Sequence, residues 1–315
     1  MIHIDILLTE QEMAHSFLSA LKDRYLPERF FYWFPLSCQA WLDLCSDGAY
    51  KNFMRSYQLI STHAADMATR LPAGEVEVIS LGAGQGNKEL LILKALEASG
   101  HRITYIPVDA SQTLLEVACL TAAQEGFSSR GVKANLADLA HLQSLLPPKN
   151  SNKTRLVLFL GNTLGAFDPA NYIKTLRRLL DTGDFLLVDG EIYFKSQTMA
   201  GYDNPLNRRF AFAPLLSIGI TSEDGSLRFE TQEDPSQPGL YQLTKYFVPS
   251  HDLQVQVAGH PITLQQGQKI QMSSSGKYSR NRFLHLIGQV GHFHCEAEYL
   301  MNDETFMMVL LTPKE

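Results

Sequence analysis

Between residues 76 and 189 short apolar runs alternate with stretches of helical periodicity, and this alternation restricts the fold more than any other feature of the chain. The runs at 76–81, 103–108, 132–136, 156–160 and 185–189 read as strands, whereas 87–98, 114–123 and 172–180 read as helices. Strands joined through helices must cross over before they pair again. The result is a parallel sheet covered by helices on both faces. Gly100 and Gly126 stand just past two of the helices, where a left-handed stop costs glycine least.

The chain has 315 residues, of which 45% are hydrophobic and 19% charged, enough apolar surface for a sizeable core and too much for global disorder. A formal net charge of −6 leaves no basic stripe to neutralise phosphates, so nucleic acid is not the expected partner, and the pair Arg208-Arg209 is only local. Cys38, Cys45, Cys119 and Cys295 are too widely spaced for a disulfide framework and read as free thiols in a reducing compartment. His292 and His294 flank Phe293 on one side of a strand, but two histidines without further ligands do not make a metal site, and no metal is expected. The first ten residues carry Asp5 and Glu10 and no long apolar run. The expectation is a cytoplasmic protein with no signal peptide, no membrane span and no indicated protein partner.

Around the alternating region lie two segments of different character. Residues 10–70 read as mostly helical, with helical spacing at 10–21 and 56–71 and a dense aromatic run, 30–34, ended by Pro35. Residues 196–276 hold short strand-like pieces at 228–231, 241–248, 253–257 and 269–272 between Gly and Pro turns, which suits a β-rich insertion. Helical periodicity resumes at 279–289, and 292–301 and 305–312 flank Asn302-Asp303-Glu304 as an antiparallel hairpin. The expected organisation is an N-terminal helical segment (1–70), a Rossmann-like sheet domain (71–195 and 277–315) and a substrate-binding insertion (196–276).

The first strand runs into Gly82-Ala83-Gly84-Gln85-Gly86, where the backbone can turn sharply and approach a ligand closely. A dinucleotide fingerprint would put its third glycine at 87, which is Asn87. A phosphate-binding P-loop would need Ser or Thr after Lys88, where Glu89 stands. Both nucleotide-phosphate readings are weakened. Asp109 ends the second strand, where a carboxylate can accept from both ribose hydroxyls of an adenosine cofactor, and a turn or helix-capping role competes with that reading. Asp138 follows the third strand and suits the adenine amino group or, alternatively, the surface.

Taken together and in order, several stretches resemble the histidine Nα-methyltransferases of ergothioneine biosynthesis, from about residue 25 onward. They are 26–32, Leu81-Gly82-Ala83-Gly84 with Lys88, Pro107-Val108-Asp109, Ala137-Asp138, 156–165, Tyr202-Asp203, and Ser275-Gly276-Lys277-Tyr278-Ser279. The resemblance implies a Rossmann-like α/β sheet of the class I methyltransferase type, finished by the C-terminal hairpin, with S-adenosylmethionine as cofactor. It implies cofactor contacts at Gly82, Gly84, Lys88, Asp109 and Asp138, with the Tyr32 ring closing over the sulfonium, whose charge an aromatic face attracts.

The same resemblance places the acceptor's amine and carboxylate on Tyr202, which would orient the nucleophile, and on Ser275. The family's amine-positioning asparagine is here Ala166, four residues after Asn162, which is a candidate to take over that role. The glutamate that reads the imidazole is here Ser273, and the N-terminal motif carries Trp33 and Leu36 where the family has Asp and Gly. The cofactor residues are kept while those that read histidine are not. The expectation is an N-methyltransferase for a small amino acid or amine other than histidine. An O-methyltransferase and a catalytically inactive cofactor-binding regulator are the alternatives.

Overall fold

In the computed structural model, which describes residues 2–46, 48, 50–148 and 153–314, the apolar runs of the middle of the chain assemble into one eight-stranded sheet. Strands β1 (Ile4–Ile6), β2 (Glu75–Leu81), β3 (Arg102–Asp109), β4 (Gly131–Lys133), β5 (Thr154–Phe159) and β6 (Phe185–Glu191) lie parallel. The strands β12 (Phe293–Leu300) and β13 (Phe306–Pro313) form the expected hairpin, and β13 lies antiparallel to β6 with Val309 opposite Val188. The order across the sheet is β1-β4-β3-β2-β5-β6-β13-β12. Every residue of β5 and β6 is buried, as expected of strands covered on both faces. The chain reverses direction across the sheet between β2 and β5, so the loops leaving those strands open side by side, at the switch point where open α/β sheets hold ligands.

The chain divides into two compact units. The first comprises Met1–Leu7, Asn52–Tyr193 and Lys277–Glu315, and the second Leu8–Lys51 and Phe194–Gly276. Besides the sheet, the first unit holds nearly all of α3 (Lys51–Thr69), together with α4 (Asn87–Ala98), α5 (Gln112–Gln124), α6 (Leu139–Leu145), α7 (Pro169–Leu179) and α10 (Arg280–His285). Its core runs from Leu59 and Met67 of α3 through Leu93, Val78, Leu158 and Leu187 to Leu310. Local chemistry sets the helix ends. Asp168 accepts from the N–H groups of Ala170 and Asn171 and is followed by Pro169, so α7 starts on a side-chain cap and a ring already fixed at helical φ. The helix expected at 279–289 is α10 continued by a single π-turn, Leu286–Val290.

The second unit contains helices α1 (Glu10–Lys22), α2 (Pro35–Ser46), α8 (Lys195–Tyr202) and α9 (Pro205–Leu216). It also holds a three-stranded sheet, in the order β11 (Ile270–Tyr278), β8 (Leu240–Pro249), β7 (Gly225–Glu233), and the hairpin of β9 (Leu253–Val257) and β10 (His260–Leu264). The last two residues of β11 belong to the first unit. The stretch expected to be β-rich therefore opens with two helices. In α9, Asn204 accepts from the Asn207 N–H, Pro205 occupies the first turn, and Phe210, Ala211, Ala213 and Leu215 are buried. That apolar spacing is helical, and the preceding turn residues of 202–205 obscure it. Residues expected as one N-terminal segment, 1–70, are shared between the units. Within the second unit, the Arg24 guanidinium donates to Gln268 and to the Thr263 carbonyl, and the Leu26 N–H donates to the Gln271 carbonyl.

Cys38, Cys45 and Cys119 are buried and lie outside any disulfide. Cys295 is half-buried, and burial together with the Glu298 carboxylate pushes its thiol up to about 11, so it stays protonated at neutral pH. Among the described residues no helix is long and apolar enough to cross a membrane.

The Arg155–Asp184 ion pair tests the core of the first unit. The two groups lie 3.2 Å apart with side chains 5% and 0% exposed. Removing Asp184 leaves the buried Arg155 guanidinium with only the more distant Glu77 carboxylate as counter-charge, 3.7 Å from its Nε, at a cost of up to about 3–5 kcal/mol. Asp184→Ala should lower the free energy of urea unfolding by about that amount with an unchanged m-value. A midpoint equal to the wild type's would mean that the pair contributes nothing.

Candidate active site

After β2 the backbone passes through left-handed conformations at Gly82 (φ 82°), Gly84 (φ 56°) and Gly86 (φ 78°). The N–H groups of Gly82 and Ala83 both donate to the Val108 carbonyl, at 2.8 and 3.0 Å, folding the loop onto the end of β3. Side chains are excluded as well as conformationally disfavoured. A Cβ at Gly82 would lie 3.3 Å from the Thr163 methyl, and one at Gly86 only 3.1 Å from the Ala118 backbone of α5. The Gly84 N–H donates to Asp109 Oδ2 and the Ser111 N–H to Oδ1, each at 3.0 Å. With three backbone N–H groups acting on it, the Asp109 carboxylate still keeps acceptor capacity for a ligand hydroxyl. Burial pushes the Asp109 carboxyl above the usual carboxylate range, while the N–H groups of Ser111, Gly84 and Ala110 oppose the rise.

Beside this loop lies a buried charged network. Asp189 accepts from the Ser56 hydroxyl (2.5 Å), the Gly161 N–H (2.9 Å) and the Asn162 N–H (2.7 Å). Burial raises its carboxyl above the ordinary range, and the Lys88 ammonium is the largest opposing influence. Lys88 is 8% exposed, and a Cβ on Gly161 would come within 2.8 Å of its Nζ, so glycine at that position leaves room for the ammonium. Two residues along β6, Glu191 Oε2 accepts from Asn52 Nδ2 at 2.6 Å and pairs with Lys277 Nζ at 3.0 Å. Asn162 takes the left-handed conformation (φ 60°), and its side-chain oxygen accepts from the Glu191 N–H at 3.0 Å.

Asp138 is the N-cap of α6, where Oδ1 accepts from the Ala140 N–H at 2.8 Å, and it remains half-exposed. Gly82, Gly84, Lys88, Asp109, Asp138 and Asn162 thus lie in the first unit, on the loops and helix starts that follow the parallel strands. Tyr32, Tyr202, Ser273 and Ser275 lie in the second. Tyr32 closes a 3-10 turn, Glu28–Tyr32, and Tyr202 ends α8, 5% exposed, with its ring 6.1 Å from that of Tyr50. Ser273 sits in β11 with φ 142°, a conformation that favours glycine, and its hydroxyl is buried with no hydrogen-bond partner. Ser275 follows in the same strand, and Ala166 ends the turn Thr163–Ala166. Ser56, Asn52, Asp189, Glu191 and the chemistry of Lys277 escaped the sequence reading. The available signals were the acidic end of the fifth apolar run and a lysine inside the late motif.

A glycine cradle, a buried carboxylate with free lone pairs and a buried ammonium fit a cofactor that carries a ribose diol and a carboxylate. Residues 10–313 match the family described as histidine-specific, S-adenosylmethionine-dependent methyltransferases. The chain belongs to this family. It is an S-adenosylmethionine-dependent methyltransferase with the class I Rossmann-like sheet, and the cofactor expected from the sequence is the family's cofactor. It is 24% identical over 299 residues to the N-methyltransferase imqF of Aspergillus flavus, covering 89% of this chain and 79% of the relative. A histidine N-alpha-methyltransferase of Mycobacterium tuberculosis is 27% identical over 153 residues, 47% of this chain and 46% of that one. Among solved structures, an S-adenosylmethionine-dependent methyltransferase of Clostridium acetobutylicum aligns with TM-score 0.45 and 13% identity, over 84% of this chain and 96% of that one.

Asp109 supplies the test of the cofactor loop. Asp109→Ala should weaken S-adenosylmethionine binding by about tenfold or more in isothermal titration, equivalent to losing roughly 1.4 kcal/mol or more. An ionised Asp109 carboxyl would offer both oxygens as acceptors to a ribose diol, whereas protonation turns one of them into a donor and removes the charge. Because burial raises its pKa, affinity should fall as pH drops through that raised value, earlier than for an ordinary aspartate. Asp109→Asn should abolish this pH dependence. Unchanged affinity in a folded Asp109→Ala protein would remove the residue from the site.

Proposed function

We propose that this N-methyltransferase acts on the amino group of a small amino acid or amine and that histidine is not its preferred acceptor. The observation that carries this reading is Ser273, a buried serine on strained backbone at the position where the family reads the imidazole with an acid. Ala166 adds to it, because no side-chain amide stands at the amine-positioning place. Asn162 is a poor substitute, since its oxygen already serves the Glu191 N–H.

In the proposed division of labour, the loop of Gly82 and Gly84, with Lys88, Asp109 and Asp138, holds S-adenosylmethionine, which supplies an electrophilic methyl group on sulfur. Tyr202, Ser273 and Ser275 are the proposed acceptor residues, with Tyr202 orienting the amine. Little covalent participation is asked of the protein. The acceptor nitrogen must be neutral and in line with the breaking bond, so positioning supplies most of the rate. An α-amino group with a solution pKa of about 8 already has a neutral fraction near neutrality.

The deciding experiment compares methylation rates of histidine, tyrosine, tryptophan and simple amines at equal concentration, followed by mass spectrometry of the products. Loss of one buried hydrogen-bond partner costs about 1–3 kcal/mol, so two losses should depress histidine turnover by roughly two orders of magnitude or more. Ser273→Glu combined with Ala166→Asn should raise activity towards histidine measurably. Preferential, efficient methylation of histidine by the unaltered protein would overturn the proposal. Release of S-adenosylhomocysteine with phenols or acids but with no amine would establish O-methylation instead.

A further inference from the structure

Three buried polar atoms without hydrogen-bond partners come from one short stretch of the second unit: Glu28 Oε2, Ser37 Oγ and Trp41 Nε1. Native interiors leave only a few such atoms per hundred residues, because each costs its full desolvation when unpaired. Ser37 is 0% exposed. It lies one helical turn before Trp41 in α2, so the two side chains share a face of that helix. Glu28 meets the same group of residues through Tyr32, whose hydroxyl donates to Glu28 Oε1 at 3.4 Å and whose ring meets the Trp41 ring edge-on at 5.2 Å. Phe210 of α9 closes the cluster, 5.4 Å from Tyr32 and 5.5 Å from Trp41. The cluster thus combines aromatic surface with one unmet carboxylate oxygen, one unmet indole N–H and one unmet hydroxyl.

We propose that Glu28, Ser37 and Trp41, with the rings of Tyr32 and Phe210, bind a phenol or indole ring through its O–H or N–H, and so select an aromatic amine larger than histidine as the methyl acceptor. The ring, rather than the reacting amine, is the better match for Glu28. A carboxylate beside the amine would favour the ammonium form and remove the lone pair that methyl transfer requires. A phenol O–H or an indole N–H donates to Glu28 without that penalty, and the aromatic walls take the ring through edge-to-face contact. This inference rests on the N-methyl-transfer reading above and assigns the class of acceptor within it.

The test uses isothermal titration of the full chain with L-tyrosine, L-tryptophan, L-phenylalanine and L-histidine. Tyrosine and tryptophan should bind at least tenfold more tightly than phenylalanine, which offers the same ring without a polar hydrogen. In Glu28→Met that preference should collapse to the phenylalanine level, and Ser37→Ala, a smaller change, should reduce it if the first variant does not fold. The chain has two tryptophans, Trp33 and Trp41. In a Trp33→Phe background, tyrosine should therefore change the emission of Trp41. Equal affinity for tyrosine and phenylalanine, or a tyrosine preference that survives both Glu28→Met and Ser37→Ala, would overturn the proposal. Release of S-adenosylhomocysteine separates this result from the parent reading. Amine methylation without Glu28-dependent binding would sink the site alone. Glu28-dependent binding without any transfer would sink the reading of the reaction and leave the site.

Discussion

Asp189 gathers three donors at the end of β6, the Ser56 hydroxyl and the N–H groups of Gly161 and Asn162, and has the Lys88 ammonium as its opposing charge. These contacts fix the backbone that leaves β5, the face of α3 and the first turn of α4 relative to one another. Two residues on, Glu191 repeats the arrangement with Asn52 and Lys277. The repetition has a geometric cause. Asp189 and Glu191 point to the same side of the strand, about 6.6 Å apart along it, whereas Asn52 and Ser56 lie one turn apart on α3, about 6 Å along the helix. A strand step of two residues matches a helix step of four, so two carboxylates and two donors meet in register. Buried ions in this setting are tolerated only because each is paired and hydrogen-bonded.

The sheet was readable from the sequence because its strands are buried on both faces and show as continuous apolar runs between helices. The C-terminal hairpin was readable from the buried apolar run of β13 and the partly exposed β12 on either side of the turn Asn302-Asp303-Glu304. What escaped reading depends on distance along the chain. Three residues at 4–6 carry too little pattern to announce a strand, yet they pair with β4. The helices α8 and α9 were hidden by turn-forming residues between them and by an insertion that is β-rich only from Gly225 onward. The Asp189 and Glu191 network joins residues more than a hundred positions apart. No local periodicity reports such a pairing.

The candidate site was readable to different depths in its two halves. The proposed cofactor loop announces itself locally, because glycines at 82, 84 and 86 follow directly on a strand and take left-handed backbone. The proposed acceptor residues are scattered over 162–275 and became visible only through resemblance. Even then, sequence could name Ser273 as a replacement but could not show that its backbone is strained or its hydroxyl unpaired. Similarly, Asn162 looked free to compensate for Ala166 until its oxygen was found on the Glu191 N–H.

The way the buried charges are paired also bears on the chemistry. Although burial raises its carboxyl, Asp189 accepts three hydrogen bonds beside the Lys88 ammonium, and these donors would have to release it before it could take a proton off an amine. Asp189 therefore suits holding Lys88 and the loop after β5 better than acting as a general base. Glu191 accepts from Asn52 and pairs with Lys277. Methyl transfer makes no demand for such a base beyond what water can meet, because an α-amino group already samples its neutral form near neutrality. The protein can then commit its buried charges to fixing backbone positions and its apolar and aromatic surface to choosing the acceptor. Changing the acceptor would require altering only the second of these sets. On the proposed assignment, that separation would let Ser273 and Ala166 depart from the family pattern while Gly82, Lys88 and Asp109 do not.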